Sequence, residues 1–320
     1  MRAVLLSLLT LLPIAGARAE EDVRSWFDRA VQAVERLNYE VLMVFARDDR
    51  LQTLQVLHSY DSGRVRERIE ALNGSPREVV RLDGRVACSV GGIHVLTGRG
   101  HGQQGMSLGV HGDLDALRAW YAFSLGDTDR IAGRPCRTLR IEPRDRYRYG
   151  YRLCLDQEVG LPLRTEILDH DHRVLERMIV TRLVLYREPL PAERFMVDWS
   201  RAPTTAEQED EVPPESGPSD THWEIGELPP GYAVVERDRY PMREGAVSVE
   251  HLVASDGLAA VSVFVRPEDE ELFRGLKRSG AMHVFGLLHP PYHVTVMGEV
   301  PAVVVRMIGD SVHPVQEGGG

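Results

Sequence analysis

Residues 39–90 read YEVLMVFARDDRLQTLQVLHSYDSGRVRERIEALNGSPREVVRLDGRVACSV. Their hydrophobic period is two. Side chains along a strand alternate sides, so Val41, Met43 and Phe45 share one face of a Tyr39–Ala46 strand. Asp48-Asp49-Arg50 makes a turn, and Leu51–Tyr60 runs back. Asp61-Ser62-Gly63 turns into Val65–Leu72. Arg77–Leu82 and Val86–Val90 follow around Asp83-Gly84, a strong hairpin dipeptide. Links this short leave no room for crossovers, so the sheet is an antiparallel meander.

Working outward, Arg137–Ile141, Tyr149–Asp156, Leu163–Leu168 and Val174–Tyr186 continue it. Asp22–Leu37 precedes it as a helix, with Trp26, Ala30, Val34 and Leu37 at helical spacing, and Leu114–Tyr121 reads as a short second helix. The fold class is α+β, mainly antiparallel β. Such a meander either closes and fills itself or curls around a hollow that a helix can plug. Val41, Met43 and Phe45 are the candidate lining for a lipid.

Ahead of the first helix, Arg2 is followed by an uncharged apolar run, Ala3–Leu12. Pro13 and Gly16 then break that run, and Ala17-Arg18-Ala19 stands before Glu20. This is the layout of a secretory signal cleaved after Ala19. The run is about half the roughly 20 residues of a membrane span. Residues 1–19 are therefore expected to leave, and 20–200 to form the large domain.

Residues 201–220 form a linker rich in Pro, Ser, Thr and Glu, whose acidic residues repel one another. A smaller domain covers 221–315. Its strands are Trp223–Ile225, Tyr232–Arg239, Val247–Ser255, Ala259–Arg266, His283–Leu288, His293–Glu299 and Ala302–Ile308, with Glu268–Lys277 a helix or turn. Residues 316–320 are a disordered tail.

The chain has 320 residues and a net charge of −10, which argues against a nucleic-acid surface. Lys277 is the only lysine. So complete an arginine bias reports genome composition more than phosphate recognition. Three cysteines are present, Cys88, Cys136 and Cys154. A hairpin folded about Asp145 sets Cys136 opposite Cys154. Directly opposed Cβ atoms lie about 4.5–5.5 Å apart, slightly beyond the roughly 3.5–4.5 Å of a disulfide. A bridge there needs local twist; otherwise all three are small buried hydrophobes.

No motif carries catalysis. Gly100–Gly105 matches G-x-G-x-x-G but sits in a glycine-rich loop, not between the strand and helix of a βαβ unit. Asp169-His170-Asp171-His172 could suggest a metal, yet neighbours on a two-residue period point apart, and a polar turn is required there. No G-x-S-x-G elbow occurs. Neither a metal nor a cofactor is expected. Arg144, Arg146 and Arg148 alternate with Tyr147, Tyr149 and Tyr151. On a strand they form either a solvated face or a positive patch for an acidic partner or a lipid phosphate.

Longer runs carry a resemblance. VRERIEALNGSPREVVRLDGRVACS (65–89), RIAGRPC (130–136), IEPRDRYRYGYRL (141–153), GLPLRTEIL (160–168), VLERMIVTRL (174–183), LPPGY (228–232), SDGLAAVSVFVRP (255–267) and VTVMGEVP (294–301) resemble the MucB/RseB family of periplasmic sigma-factor regulators. The resemblance implies an unclosed, LolA/LolB-like half-barrel with helices in its mouth, beside a small C-terminal domain. It implies no enzymatic activity. It also implies binding to the periplasmic domain of a transmembrane anti-sigma factor, shielding it from site-1 proteolysis, with release by lipid or lipopolysaccharide, and a homodimer. A lipid or lipoprotein carrier without a signalling role is the alternative. Gly91–His111 is a low-complexity loop that does not match the family pattern residue by residue.

Overall fold

The computed structural model describes residues 14–75, 77–82, 85–90, 93–99, 112–196, 221–241, 248–268 and 273–316. The apolar run up to Leu12, Asp83-Gly84, the Gly100–Gly105 motif, the linker and residues 317–320 lie outside them.

Helix α1 (Ile14–Arg36) starts earlier than the Asp22–Leu37 reading, and Gly16 does not stop it. Its buried stripe is Val23, Phe27, Ala30, Ala33 and Val34. That stripe is turned from the expected one, leaving Trp26 half-buried under the Arg29 guanidinium.

The helix lies on an eleven-stranded antiparallel sheet. Its strands are β1 (Asn38–Arg47), β2 (Arg50–Asp61), β3 (Arg64–Ala71), β4 (Arg77–Leu82), β5 (Arg85–Val90), β6 (Ile93–Arg99), β7 (Tyr121–Ile131), β8 (Arg134–Pro143), β9 (Gly150–Asp156), β10 (Pro162–Leu168) and β11 (Val174–Tyr186). Their order is β6-β5-β4-β3-β2-β1-β11-β10-β9-β8-β7, so β6 and β7 are unjoined ends and the sheet does not close. Two meanders meet where β1 pairs with β11, from Asn38↔Tyr186 to Arg47↔Glu176.

Sequence reading missed β6 and β7. β7 is an edge strand interrupted by a register shift between Leu125 and Thr128, and its Asp127–Arg130 stretch is exposed, so its hydrophobic alternation is weak. The expected helix over 114–121 ends at Leu117. Helix α2 (Leu114–Leu117) is capped by Asp113, whose Oδ1 accepts the Asp115 and Ala116 N–H groups at 2.7 and 3.2 Å.

The C-terminal domain is a six-stranded antiparallel sheet in the order β13-β14-β15-β18-β17-β16. These strands are β13 (Ala233–Pro241), β14 (Ser248–Ser255), β15 (Ala260–Pro267), β16 (Gly275–Ser279), β17 (Met282–His289) and β18 (Tyr292–Gly298). β12 (Thr221–Ile225) and β19 (Val312–Gln316) form a separate pair.

Residues 302–308 are not a strand. They begin helix α3 (Ala302–Ser311), which follows Pro301. The valine run favours a strand locally. However, Val304, Val305 and Ile308 are buried together at helical spacing in the cluster that holds Val263, Val294 and Val296. Tertiary burial overrides the weak propensity. Part of the Glu268–Lys277 segment lies outside the described residues, and its end is strand β16.

Candidate functional site: the concave face and the domain seam

The face expected to take a lipid is filled. Val41 and Met43 are 0% exposed and Phe45 6%. They share one cluster with Ala33 and Val34 of α1, Leu54, Val56, Met178 and Val180. Burying each such side chain contributes roughly 1.5–3 kcal/mol. In this arrangement the helix plugs the hollow.

Cys136 and Cys154 belong to the same cluster and are joined, with Cα atoms 5.4 Å apart. They are not directly opposed. Cys136 faces Asp156, and Thr138 faces Cys154. The β8–β9 hairpin is centred on Arg146 rather than Asp145, which moves the register by two. With the bridge in place, thiol counting on the unfolded, unreduced chain should find Cys88 as the one free thiol. Removing both bridge sulfurs should cost about 3 kcal/mol by loop entropy, read as a lower urea midpoint.

The arginine run is not a strand. β8 ends at Pro143, and Asp145 Oδ1 accepts the Tyr147 N–H at 2.9 Å to make a turn. The three guanidinium groups therefore part company. Arg144 is exposed and donates through Nε to the carbonyls of Arg118 and Tyr121 at 3.2 and 3.3 Å. Arg146 is exposed and lies over the Tyr147 ring. Arg148 turns inward and is 0% exposed.

Arg148 is the hub of the seam between the domains. Its Nε donates to Asp256 Oδ2 at 2.6 Å and its Nη2 to the Pro230 carbonyl at 2.6 Å, while Nη1 pairs with Asp145. Its guanidinium carbon lies 4.8, 5.7 and 5.0 Å from the ring centroids of Trp120, Tyr121 and Tyr232. Burial works against the charge of Arg148, yet the carboxylates of Asp256 and Asp145 hold its pKa above the usual value.

Asp256 sits in the β14–β15 turn. Its Oδ1 caps Leu258 and Ala259 at 2.9 and 2.8 Å, and its Oδ2 also accepts the Tyr121 hydroxyl at 2.9 Å. Leu258 from this turn enters the cluster of Val23, Phe27, Leu117 and Tyr121. Gly231, at φ +84°, passes so close that a Cβ would stand 2.2 Å from Trp120 Cε2.

A second contact lies farther along the seam, where the β16–β17 turn meets the end of β1 and the start of β11. Arg47 Nε lies 2.8 Å from Glu176 Oε1, and Arg47 Nη2 lies 3.2 Å from Glu299 Oε1. Glu176 Oε1 accepts the Ala281 N–H at 2.8 Å, and Asp48 Oδ2 accepts that of Gly280 at 2.9 Å. Ala281 packs with Tyr149 and Ile167. The C-terminal domain thus braces the same edge of the half-barrel at two places.

Asp256, Tyr121, Trp120, Glu176, Arg47 and Glu299 were not singled out by sequence reading. An Asp-Gly pair such as Asp256-Gly257 favours a tight hairpin turn, and the Pro-Pro-Gly of residues 229–231 a loop, but neither shows what it docks against. The Asp169–His172 segment is the polar turn expected of it, with Asp169 Oδ1 accepting the Asp171 and Arg173 N–H groups. Among the described residues no His, Cys, Asp and Glu group could hold a metal, and no helix is long and apolar enough to cross a membrane.

Comparison with known proteins agrees with this two-domain layout. The MucB/RseB N-terminal domain family matches residues 22–202 and the MucB/RseB C-terminal domain family 217–313. The chain is 32% identical over 320 residues to the sigma factor AlgU regulatory protein MucB of Pseudomonas aeruginosa, covering 97% of this chain and 96% of that one. It is 25% identical over 312 residues to the sigma-E factor regulatory protein RseB of Escherichia coli K12, covering 96% of each. The crystal structure of MucB superposes with a TM-score of 0.70 at 28% identity, covering 92% of this chain and 98% of that one. MucB in complex with MucA(peri) gives 0.66 at 28% identity, covering 92% and 100%. These relatives carry the names of regulators, not of enzymes. From matches that span both domains, the chain belongs to the MucB/RseB family.

Proposed function

We propose that this protein is an exported negative regulator of an envelope-stress sigma factor. It binds the periplasmic domain of a transmembrane anti-sigma factor and shields it from site-1 proteolysis. The observation that carries this reading is the end-to-end likeness to MucB, a protein solved in complex with MucA(peri). Cleavage after Ala19 would keep Val23, Phe27, Ala30, Ala33 and Val34, the α1 residues described as buried. The exported form is read as a homodimer in the periplasm. Arg144 and Arg146, exposed beside the seam, are the arginines of the 144–148 run left to meet a partner.

Lipid or lipopolysaccharide is read as the releasing signal. For lipid to reach Val41, Met43 and Phe45, α1 must first leave them, so lipid entry and helix displacement are one event. The expected result is capture of the mature protein by the immobilised periplasmic segment of the cognate anti-sigma factor, with elution by lipid. Failure to bind in any lipid state would sink the reading. The apolar concave face is what favours the alternative, a lipid carrier without a signalling role. A carrier would move lipid between two vesicle populations at substoichiometric protein, whereas a regulator would only take lipid up.

A further inference from the structure

We propose that Arg47, Glu176 and Glu299 form a proton-operated clasp that tightens the C-terminal domain over the edge of the half-barrel. This goes beyond anti-sigma-factor binding and does not depend on it. Two carboxylates from different domains share one guanidinium. Glu176 comes from β11 and is 3% exposed, and Glu299 follows β18 in the C-terminal domain. With both ionised, one positive charge faces two negative ones at a seam where the Arg47 and Glu299 side chains are 25% and 28% exposed, and like charges that close resist joint ionisation.

The surrounding groups leave the excess charge uncorrected. From β1 and its turn come Arg47 and Asp48, and Asp48 is engaged with the Gly280 N–H and lies 3.9 Å from Arg278 Nη2. From β9 and the loop before it come Tyr151 and Tyr149, whose hydroxyls burial pushes up; for Tyr149 the value is about 12. From β17 comes His283, hydrogen-bonded through Nδ1 to the Val300 carbonyl at 2.8 Å and lowered by burial. Gly280, at φ +56°, lets the turn close on Glu176, because a Cβ there would stand 2.5 Å from Glu176 Oε1.

Burial pushes Glu299 up to about 7, Glu176 adds to the rise and Arg47 opposes it. Once the domains part, the carboxyl returns toward its ordinary 4.5. The docked state therefore holds the proton more firmly than the parted one. Docking is strongest below the ordinary value and weakens as pH rises through about 7. Linkage between these two values gives a change on the order of 70-fold in the docking equilibrium between pH 5 and pH 8. A protein outside the cytoplasmic membrane would meet such a range directly.

The test is hydrogen exchange on the full mature chain. The probe is the Ala281 N–H, which is bound to Glu176, corrected for intrinsic base catalysis. Protection should fall tens of fold from pH 5 to pH 8 in the wild type. It should stay high and flat in Glu299→Gln, which carries no charge at any pH. Carbon-13 titration of the wild-type Glu299 carboxyl should show a midpoint near 7 and does not rely on the variant folding. A flat wild-type profile, the same slope in Glu299→Gln, or a carboxyl that titrates at its ordinary value would each overturn the proposal. None of these results depends on whether the anti-sigma factor binds.

Discussion

Arg148→Ala is expected to cost about 3–5 kcal/mol and to free the C-terminal domain from the half-barrel. Removing one member of a buried pair leaves the other as an uncompensated buried charge, and that is where the magnitude comes from. The Asp256 side chain is 0% exposed and meets the Arg148 side chain, also 0% exposed, at 2.6 Å. The same substitution strips a donor from the Pro230 carbonyl and leaves a space between three aromatic rings. Urea unfolding should show a lower midpoint, and small-angle scattering should show an expanded chain. Arg148→Lys should fare little better, since one ammonium cannot reach Asp256, Asp145 and the Pro230 carbonyl together. A double-mutant cycle with Asp256→Asn should return coupling of more than about 1 kcal/mol. Simple additivity would mean that the hub holds nothing together.

Met43→Asp should abolish stable folding of the N-terminal domain. Met43 is 0% exposed in the largest apolar cluster of that domain, with no polar partner in it. Burying an unpaired carboxylate costs more than the roughly 5–15 kcal/mol by which domains are stable, unless the group stays protonated or the site opens. Far-UV circular dichroism and the yield of monodisperse protein would register the loss. A folded variant that no longer takes up lipid would show instead that α1 leaves this face readily and that the residues line a working hollow.

Most of the N-terminal sheet was legible in the sequence because its evidence is local. Period two over residues 39–90 and turns such as Asp61-Ser62-Gly63 fix each hairpin without reference to anything distant. Ala302–Ile308 was misread for the opposite reason. Its valines are helical only because Val304, Val305 and Ile308 find the β17–β18 surface to pack on. Arg148 was noticed as one of an alternating row. The sequence holds no sign that Asp145 turns the chain or that Asp256, more than a hundred residues away, waits for it. Seam contacts are long-range pairings of single residues, and a single residue has no period to read.

The pairing of β1 with β11 also shapes how the molecule is made. The strand that opens the N-terminal domain finds its second neighbour in the strand that ends it, with β2 to β10 lying between them. While the chain is emerging, β1 can pair with β2 but keeps a bare edge lined by apolar residues. Contacts this distant slow folding, and open strand edges invite association with other chains. The N-terminal meander must therefore be guarded until β11 arrives, whereas the β8–β9 hairpin with its two cysteines is complete within a short stretch and can be stapled first. Until that closing step, the protein is at its most vulnerable to aggregation.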